Sequence, residues 1–339
     1  MRVDIEIDAQ GRVHQNPVGF GNTQRVMRVL RGIAEVPLAA RGGALAIGNF
    51  DGVHRGHQAL LQVAKDTAQR LGAPAGAIVF EPHPREFFQP DKPLFRLTPL
   101  ERKLELLESF GLDLCVVLSF DAELAGLSAQ DFIGKILVDA LRVRHVVIGY
   151  DFHFGNKRSG SPDTMQAAGA AHGFGVTVVA QVADQGEVFS SNAIRAELAQ
   201  GDVQGAARLL GHWWRVAGTV TGGAKRGTGL GFPTANITLA PATALAHGIY
   251  AVRVNLDGDV HAGAAYLGTR PTFDDGAPVL EVFLLNFDGD LYGRRIEVEF
   301  IEHLREDLRF PDIDSLKTQM AKDCTRAAEI LAAAPLHPL

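Results

Sequence analysis

The spacing of apolar residues along this chain changes character once, and that change limits the folds open to it. Between Ala44 and Gly149, short apolar runs at 44–48, 76–80, 113–119 and 144–149 alternate with amphipathic stretches at 57–71, 99–109 and 129–141. Continuous apolar runs feeding segments of period 3.6 predict an α/β fold whose parallel sheet is covered by helices on both faces. A further helix from about 162, a strand in GVTVVAQV and helices near 193–199 and 203–210 extend the pattern. After His212 the helices stop. RVAGTVTGG, GIYAVRVNLDGDVHAGAAYLG, VLEVFLLNF and RRIEVEFIEHL are strand-like runs separated by turns such as Asp257-Gly258 and Asp288-Gly289. This spacing predicts a six-stranded antiparallel β-barrel, closed by a terminal helix from about 313 with Ile313, Leu316, Met320, Cys324 and Leu331 on its apolar side. A length of 339 residues suits two such domains, with the boundary near 201–213.

Residues 1–26 show no helical stripe and precede Met27, so they are expected to be an extension, followed by domains at 27–204 and 205–335. Caps support the helices. Thr98 before Pro99, with Glu101 three residues on, predicts a capping box, and Ser128 with Asp131 a weaker one. The chain is 46% hydrophobic and 21% charged, with a net charge of -6 and a pI near 6.1. That balance gives no basic field for nucleic acid and favours small ligands. Two cysteines, Cys115 and Cys324, are too few for a disulfide framework or a cysteine zinc site. No run approaches 18 apolar residues and MRVDIEIDAQ has no apolar leader core, so a cytoplasmic protein without membrane association is expected. Oligomeric state is not legible.

The stretch GNFDGVHRGH, residues 48–57, lies between the apolar run ALAI and an amphipathic segment with apolar residues at 60, 61, 63, 64, 68 and 71. Gly48, Gly52, Gly56 and the Asp51-Gly52 pair predict a tight strand-to-helix turn. The unpaired N–H groups of a helix start, and the positive end of its dipole, seat phosphate. His54 and His57 can each offer a ring N–H to phosphate oxygens as charge builds. With 12 His and 37 Gly in the chain, an HxGH tetrad arises by chance about 0.05 times, and the flanking strand and helix narrow it further.

A second loop, YDFHFGNKRSGS, follows the strand ending at Gly149, at the same carboxyl edge of the sheet where ligands of open α/β folds bind. Asp151, Asn156, Lys157 and Arg158 offer polar contacts there, and Phe152 and Phe154 planar ones, or the loop is simply a packed hairpin. FSSNAIRAEL places Ser190 and Ser191 at a helix start with Arg195 in the first turn, where a cation opposes the dipole and calls for an anion. In the second half, the glycines of GGAKRGTGLGF, among them Gly222, Gly229 and Gly231 beside Lys225, free the backbone to fold over phosphates. Thr234 and Asn236 supply neutral oxygens suited to Mg²⁺. Period two puts Glu281 on the face of Phe283, Leu285 and Phe287, where a carboxylate can take a proton from a substrate hydroxyl, or else is a rim residue.

These stretches together resemble the prokaryotic bifunctional riboflavin kinase and FAD synthetase family over about residues 27–334. GNFDGVHRGH is similar to its nucleotidyltransferase signature, EPHPREFF to its flavin-side loop and GYDFHFG to its second nucleotide motif. SSNAIR is similar to its helix-start motif SSTRIR, departing from it at Asn192 and Ala193. GTGLGFPTANI, GIYAV, YLGTRPTF, LEVFLLNFDGDLYG and VEFIEHLR match the kinase half. The resemblance implies a Rossmann-like nucleotidyltransferase domain joined to a riboflavin kinase-like barrel. The barrel would phosphorylate riboflavin with ATP and Mg²⁺, and the other domain would move AMP from a second ATP onto FMN to give FAD. It implies nucleotide contacts from Gly48, Asn49, Phe50, Asp51, Gly52 and Gly56, and Glu281 as the base for the ribityl 5′-hydroxyl. On the residues alone, an adenylyltransferase of another small acceptor and a non-catalytic flavin-carrying or RNA-binding barrel protein remain as readings.

Overall fold

The computed structural model describes residues 4–7, 13–16, 26–184, 187–221, 232–240, 242–269 and 278–336. They divide into two compact units, the first within residues 22–191 and the second taking in residues 192–339 together with those before residue 22. Where the sequence suggests an extension, β1 (Asp4–Ile7) pairs antiparallel with β2 (Val13–Asn16). Ile5 and Ile7 have the period of a strand, which a search for helical stripes passes over.

The first unit holds a six-stranded sheet of β3 (Arg28–Arg31), β4 (Ala44–Ile47), β5 (Ala75–Glu81), β6 (Leu114–Ser119), β7 (His145–Gly149) and β8 (Gly175–Val179), in the order β3-β6-β5-β4-β7-β8. Every pairing is parallel. Period two sorts the strand side chains into two cores. Leu45, Ile47, Ile78, Phe80, Leu114 and Val116 face one layer. Ala44, Ala46, Ala75, Ala77 and Cys115 face the other, with Leu61, Ala64 and Ala68. Alanines on both sides of that second contact let a helix lie close on the sheet. That helix is α1 (Arg55–Leu71), which ends at Gly72 with φ 58°, a conformation that glycine takes without Cβ strain.

The other connections carry α2 (Pro84–Phe88), α3 (Leu100–Ser109), α4 (Ala122–Gly126), α5 (Ala129–Asp131) and α6 (Pro162–His172). Ser128 caps α5, accepting from the Asp131 N–H at 3.0 Å and donating to its carboxylate at 2.7 Å. The helix expected over 129–141 turns into a π-helix over Phe132–Ala140. A short pair, β9 (Ala183–Asp184) and β10 (Glu187–Val188), precedes α7 (Ser191–Gln200) and α8 (Val203–Leu210).

The second unit is a nearly closed antiparallel barrel. Its strands are β11 (Arg215–Thr219), β12 (Ala235–Thr238), β13 (Gly248–Leu256), β14 (Asp259–Thr269), β15 (Pro278–Leu284) and β16 (Arg295–Arg305), in the order β11-β16-β13-β14-β15-β12. A bridge between Thr221 and Asn236 brings the chain after β11 against β12. In the terminal helix, α9 (Ile313–Ala333), Leu316, Met320, Cys324 and Leu331 are half-buried, as their spacing suggests. Its buried line runs through Asp323 and Ala327, while Ile313 is 61% exposed. On the same side, Arg305 of β16 grips Asp323 through Nε and Nη2, the latter at 2.7 Å.

Candidate active sites

β4 is flanked by β5 on one side and β7 on the other, so its carboxyl end is where the strand order reverses, the edge at which open α/β sheets bind ligands. Residues 48–57 occupy that edge. Within the turn Phe50 (φ 48°) and Val53 (φ 43°) are left-handed, as is Gly52 (φ 89°). A β-branched residue rarely adopts that region, so the turn is held under strain by its surroundings. Phe50 and Val53 are buried. The buried Asp51 carboxylate accepts from the N–H groups of Leu97 and Thr98, at 3.3 and 3.0 Å. The Gly52 N–H donates to Thr98 Oγ1 at 2.9 Å, and Ser191 Oγ donates to the Asp51 carbonyl at 2.9 Å.

Thr98 is therefore not the cap of α3. The N-cap is Pro99, whose ring has no polar atom to cap with, and the Thr98 hydroxyl is spent on the histidine turn. Asp51, expected among the nucleotide contacts, directs its carboxylate into this brace.

His54 is the N-cap of α1, its Nδ1 accepting from the His57 N–H at 3.3 Å. That leaves Nε2 as the His54 ring nitrogen able to donate. The two imidazoles stack, centroids 3.6 Å apart and 19° from parallel, and Phe50 meets His57 edge-on at 5.1 Å. Burial, then the neighbouring His54 and Lys103, hold His57 well below its ordinary pKa. A Cβ at Gly56 would come within 3.1 Å of both the His54 ring and the Phe189 carbonyl, so only glycine lets the first helical turn sit this close.

Behind the turn stands a charged group that sequence reading missed. Arg96 forks onto both oxygens of Glu81, at 3.2 and 2.8 Å, and reaches Glu86 at 2.8 Å. Glu86 also accepts from the His83 N–H, completing a capping box on α2 in the EPHPREFF stretch. Burial pushes the His83 imidazole down to about 4. Capping spacing, read as it was at Thr98, could have found His83 and Glu86. Nothing in the sequence joins Arg96 to Glu81.

The second loop is only in part what its composition suggests. Phe152 and Phe154 stack on each other at 5.4 Å, and Phe154 is buried against Phe132 in the core rather than open to a planar ligand. The Asn156 side chain donates to the Ala125 carbonyl at 3.2 Å. Asp151, Lys157 and Arg158 are exposed. Arg195 is the fifth residue of α7, just past its first turn, and donates to Asn192 Oδ1 at 3.1 Å.

In the barrel, Thr234 stands just before β12, and its hydroxyl donates to Glu281 Oε2 at 3.5 Å. Asn236 of β12 is the cross-strand partner of Glu281, and Tyr266 of β14 is the partner on the other side. The Asn236 amide nitrogen donates to the Thr234 carbonyl at 3.3 Å. A cleft of about 180 Å³ opens beside this corner, lined in part by Pro233, Thr234, Phe287, Asp290, Leu291 and Tyr292. Glu281 shares a face with Phe283, as the period requires, but that face is not the core: Leu280, Val282 and Leu284 fill the interior. With apolar residues on both faces of β15, period two cannot say which one turns inward. Gly222, Lys225, Gly229 and Gly231 lie outside the described residues.

Comparison with known proteins assigns both halves. Residues 37–193 match the FAD synthetase family model and residues 210–331 the riboflavin kinase model. The bifunctional riboflavin kinase/FMN adenylyltransferase of Pseudomonas fluorescens is 44% identical over 92% of this chain and 100% of its own length. The chain belongs to this family. The Escherichia coli K12 protein of the same name is 41% identical over 89% of the chain and 97% of its own length. A Streptococcus pneumoniae crystal structure titled as a macrolide-efflux protein has the same fold, with a TM-score of 0.79 and 26% identity over 91% of this chain and 100% of its own. This family member phosphorylates riboflavin to FMN and adenylylates FMN to FAD. No helix among the described residues is long and apolar enough to cross a membrane.

Proposed function

We propose that the two reactions divide between the two units: adenylyl transfer on the turn at 48–57, riboflavin phosphorylation at the Thr234–Glu281 corner of the barrel. The observation that carries the assignment is the braced, strained turn that presents a stacked His54–His57 pair at the N-terminus of α1. In adenylyl transfer a phosphate oxygen of FMN attacks the α-phosphorus of ATP and pyrophosphate leaves, so no protein nucleophile is needed and positioning with charge stabilisation suffices. The backbone of Gly48, Asn49, Phe50, Gly52 and Gly56 seats the polyphosphate. Asp51 and Ser191 hold that backbone in shape, and His54 and His57 stabilise the developing charge. Asp151 and Ser190 complete the nucleotide contacts.

In the barrel, Glu281 takes the proton of the ribityl 5′-hydroxyl as that oxygen attacks the γ-phosphorus of ATP. The hydroxyl of Thr234 and the amide oxygen of Asn236 are neutral hard donors beside one carboxylate, a set that fits an Mg²⁺ ion keeping water and phosphate oxygens as its other ligands. These two residues would hold the ion, which supplies charge neutralisation on the phosphates. The loop with Gly222, Lys225, Gly229 and Gly231 is assigned to the same phosphates. A cytoplasmic setting goes with this reading, since both cysteines are free thiols.

Chromatography of products from riboflavin plus ATP tests the division. His57→Ala lowers FAD formation by about 10²-fold while FMN still accumulates. Glu281→Gln lowers riboflavin phosphorylation by about 10²- to 10⁴-fold while FAD still forms from supplied FMN. Loss of both activities in either variant would reject the assignment.

A further inference from the structure

Residues 96–98 reach two loops at once. The backbone N–H groups of Leu97 and Thr98 donate to the Asp51 carboxylate, and the Thr98 hydroxyl accepts from the Gly52 N–H, so these two residues hold the histidine turn. The Arg96 side chain holds the next loop along the sheet edge. Its fork closes on Glu81, the last residue of β5, at 3.2 and 2.8 Å, and Nη1 also reaches Glu86 of α2 at 2.8 Å. β4 and β5 are parallel neighbours, so the loops that follow them leave the same edge. The Arg96 side chain is 14% exposed and both carboxylates are half-buried. Partly withdrawn from water, a forked guanidinium fixes direction in a way that a point charge does not.

α2 is five residues long and buries none of them, too little packing to set its direction unaided. What it presents is apolar: Phe88 is 63% exposed while its ring meets Phe87 at 5.2 Å and Phe120 at 5.7 Å. FMN brings to this edge a phosphate that must meet ATP at the turn and a planar ring that an aromatic surface suits. We propose that Arg96 is a positioning residue for adenylyl transfer: by tying α2 to the end of β5 it sets the aromatic end of α2 at a fixed place relative to the histidine turn, so that FMN held by its ring offers its phosphate to ATP. The guanidinium does not touch substrate; it acts through Glu86 and α2. This rests on the turn being the adenylyl-transfer site, which His57→Ala tests separately.

The test is the steady-state kinetics of FAD formation by the full chain, with FMN and ATP varied in turn. Arg96→Gln raises KM for FMN about 10-fold or more. KM for ATP stays within about twofold, because the backbone of Leu97 and Thr98 still braces the turn that seats it. Arg96→Lys keeps the charge without the fork and recovers little of the loss. Glu86→Gln keeps an acceptor for the His83 N–H, loosens α2 alone and raises KM for FMN about threefold. Phe88→Ala raises it too, and the double variant Arg96→Gln with Phe88→Ala is no worse than the worse single one, since both remove the same support. Riboflavin phosphorylation persists in all of them. A joint rise of both KM values in Arg96→Gln overturns the proposal, because that is what a loosened turn gives. Effects of Arg96→Gln and Phe88→Ala that multiply also overturn it, since the arginine then acts elsewhere. Should Arg96→Gln not fold, Glu86→Gln decides, and an unchanged KM for FMN there overturns the proposal. If His57→Ala leaves FAD formation intact, the site assignment itself has failed.

Discussion

At the residue scale, the first unit is arranged around a hydroxyl and a carboxylate that never face solvent. Thr98 accepts from Gly52 and Asp51 accepts from Leu97 and Thr98, and together they hold Phe50 and Val53 in a backbone region those residues avoid. Thr98→Val keeps the shape but leaves the Gly52 N–H without its buried acceptor. The first unit then loses about 1–3 kcal/mol, read by denaturant unfolding, and Thr98→Ser recovers most of it. His83 adds a pH dependence. Its folded pKa is depressed to about 4 from 6.5, so its contribution to stability is present above pH 6.5 and is lost as pH falls toward 4. Protonation also removes the Nδ1 acceptor that caps Arg85 N–H at 3.1 Å. His83→Gln therefore flattens the fall of melting temperature between pH 7 and 4; an unchanged slope would show that other groups carry it.

At the element scale, α9 is fastened by polar contacts at two points. Arg305 grips Asp323, and Arg253 donates to the carbonyls of Ala334 and Pro335 at the helix end. Asp323 and Arg305 have side chains only 9% and 18% exposed. Arg305→Leu strands a buried carboxylate and costs about 3–5 kcal/mol, whereas Arg305→Leu with Asp323→Leu costs much less. Equal losses in the single and double variants would mean the pair is solvent-screened. Helix α8 is the second case. Ala206, Ala207, Leu209 and Leu210 are buried, and Ala207 packs with Trp213 and Ile301 of the barrel unit.

At the scale of the whole chain, that packing decides where a cut is tolerated. We expect a fragment beginning at Asn192 to make FMN from riboflavin and no FAD, and one beginning at Gly211 to melt several degrees lower because it lacks α8. FAD formation by the 192 fragment, measured with supplied FMN, would reject the division of labour. A boundary near 205, set by where helical spacing gives way to strands, falls inside α8 itself. Periodicity marks a change of element type, whereas a unit is defined by which elements bury each other.

The sequence by itself determined the parallel sheet, the barrel, the histidine turn and the family, because short-range spacing and composition encode strand, helix and phosphate-seating turn directly. It also placed Glu281 beside Phe283 on one strand face. Only the tertiary structure decided that Leu280 and Val282, not that face, fill the barrel, that Thr98 serves the turn rather than α3, and that Phe154 is core. These depend on contacts between residues distant in the chain, such as Gly52 with Thr98 and Phe132 with Phe154. A local pattern fixes which way a side chain can point; what it meets there is set by elements that arrive from elsewhere in the fold.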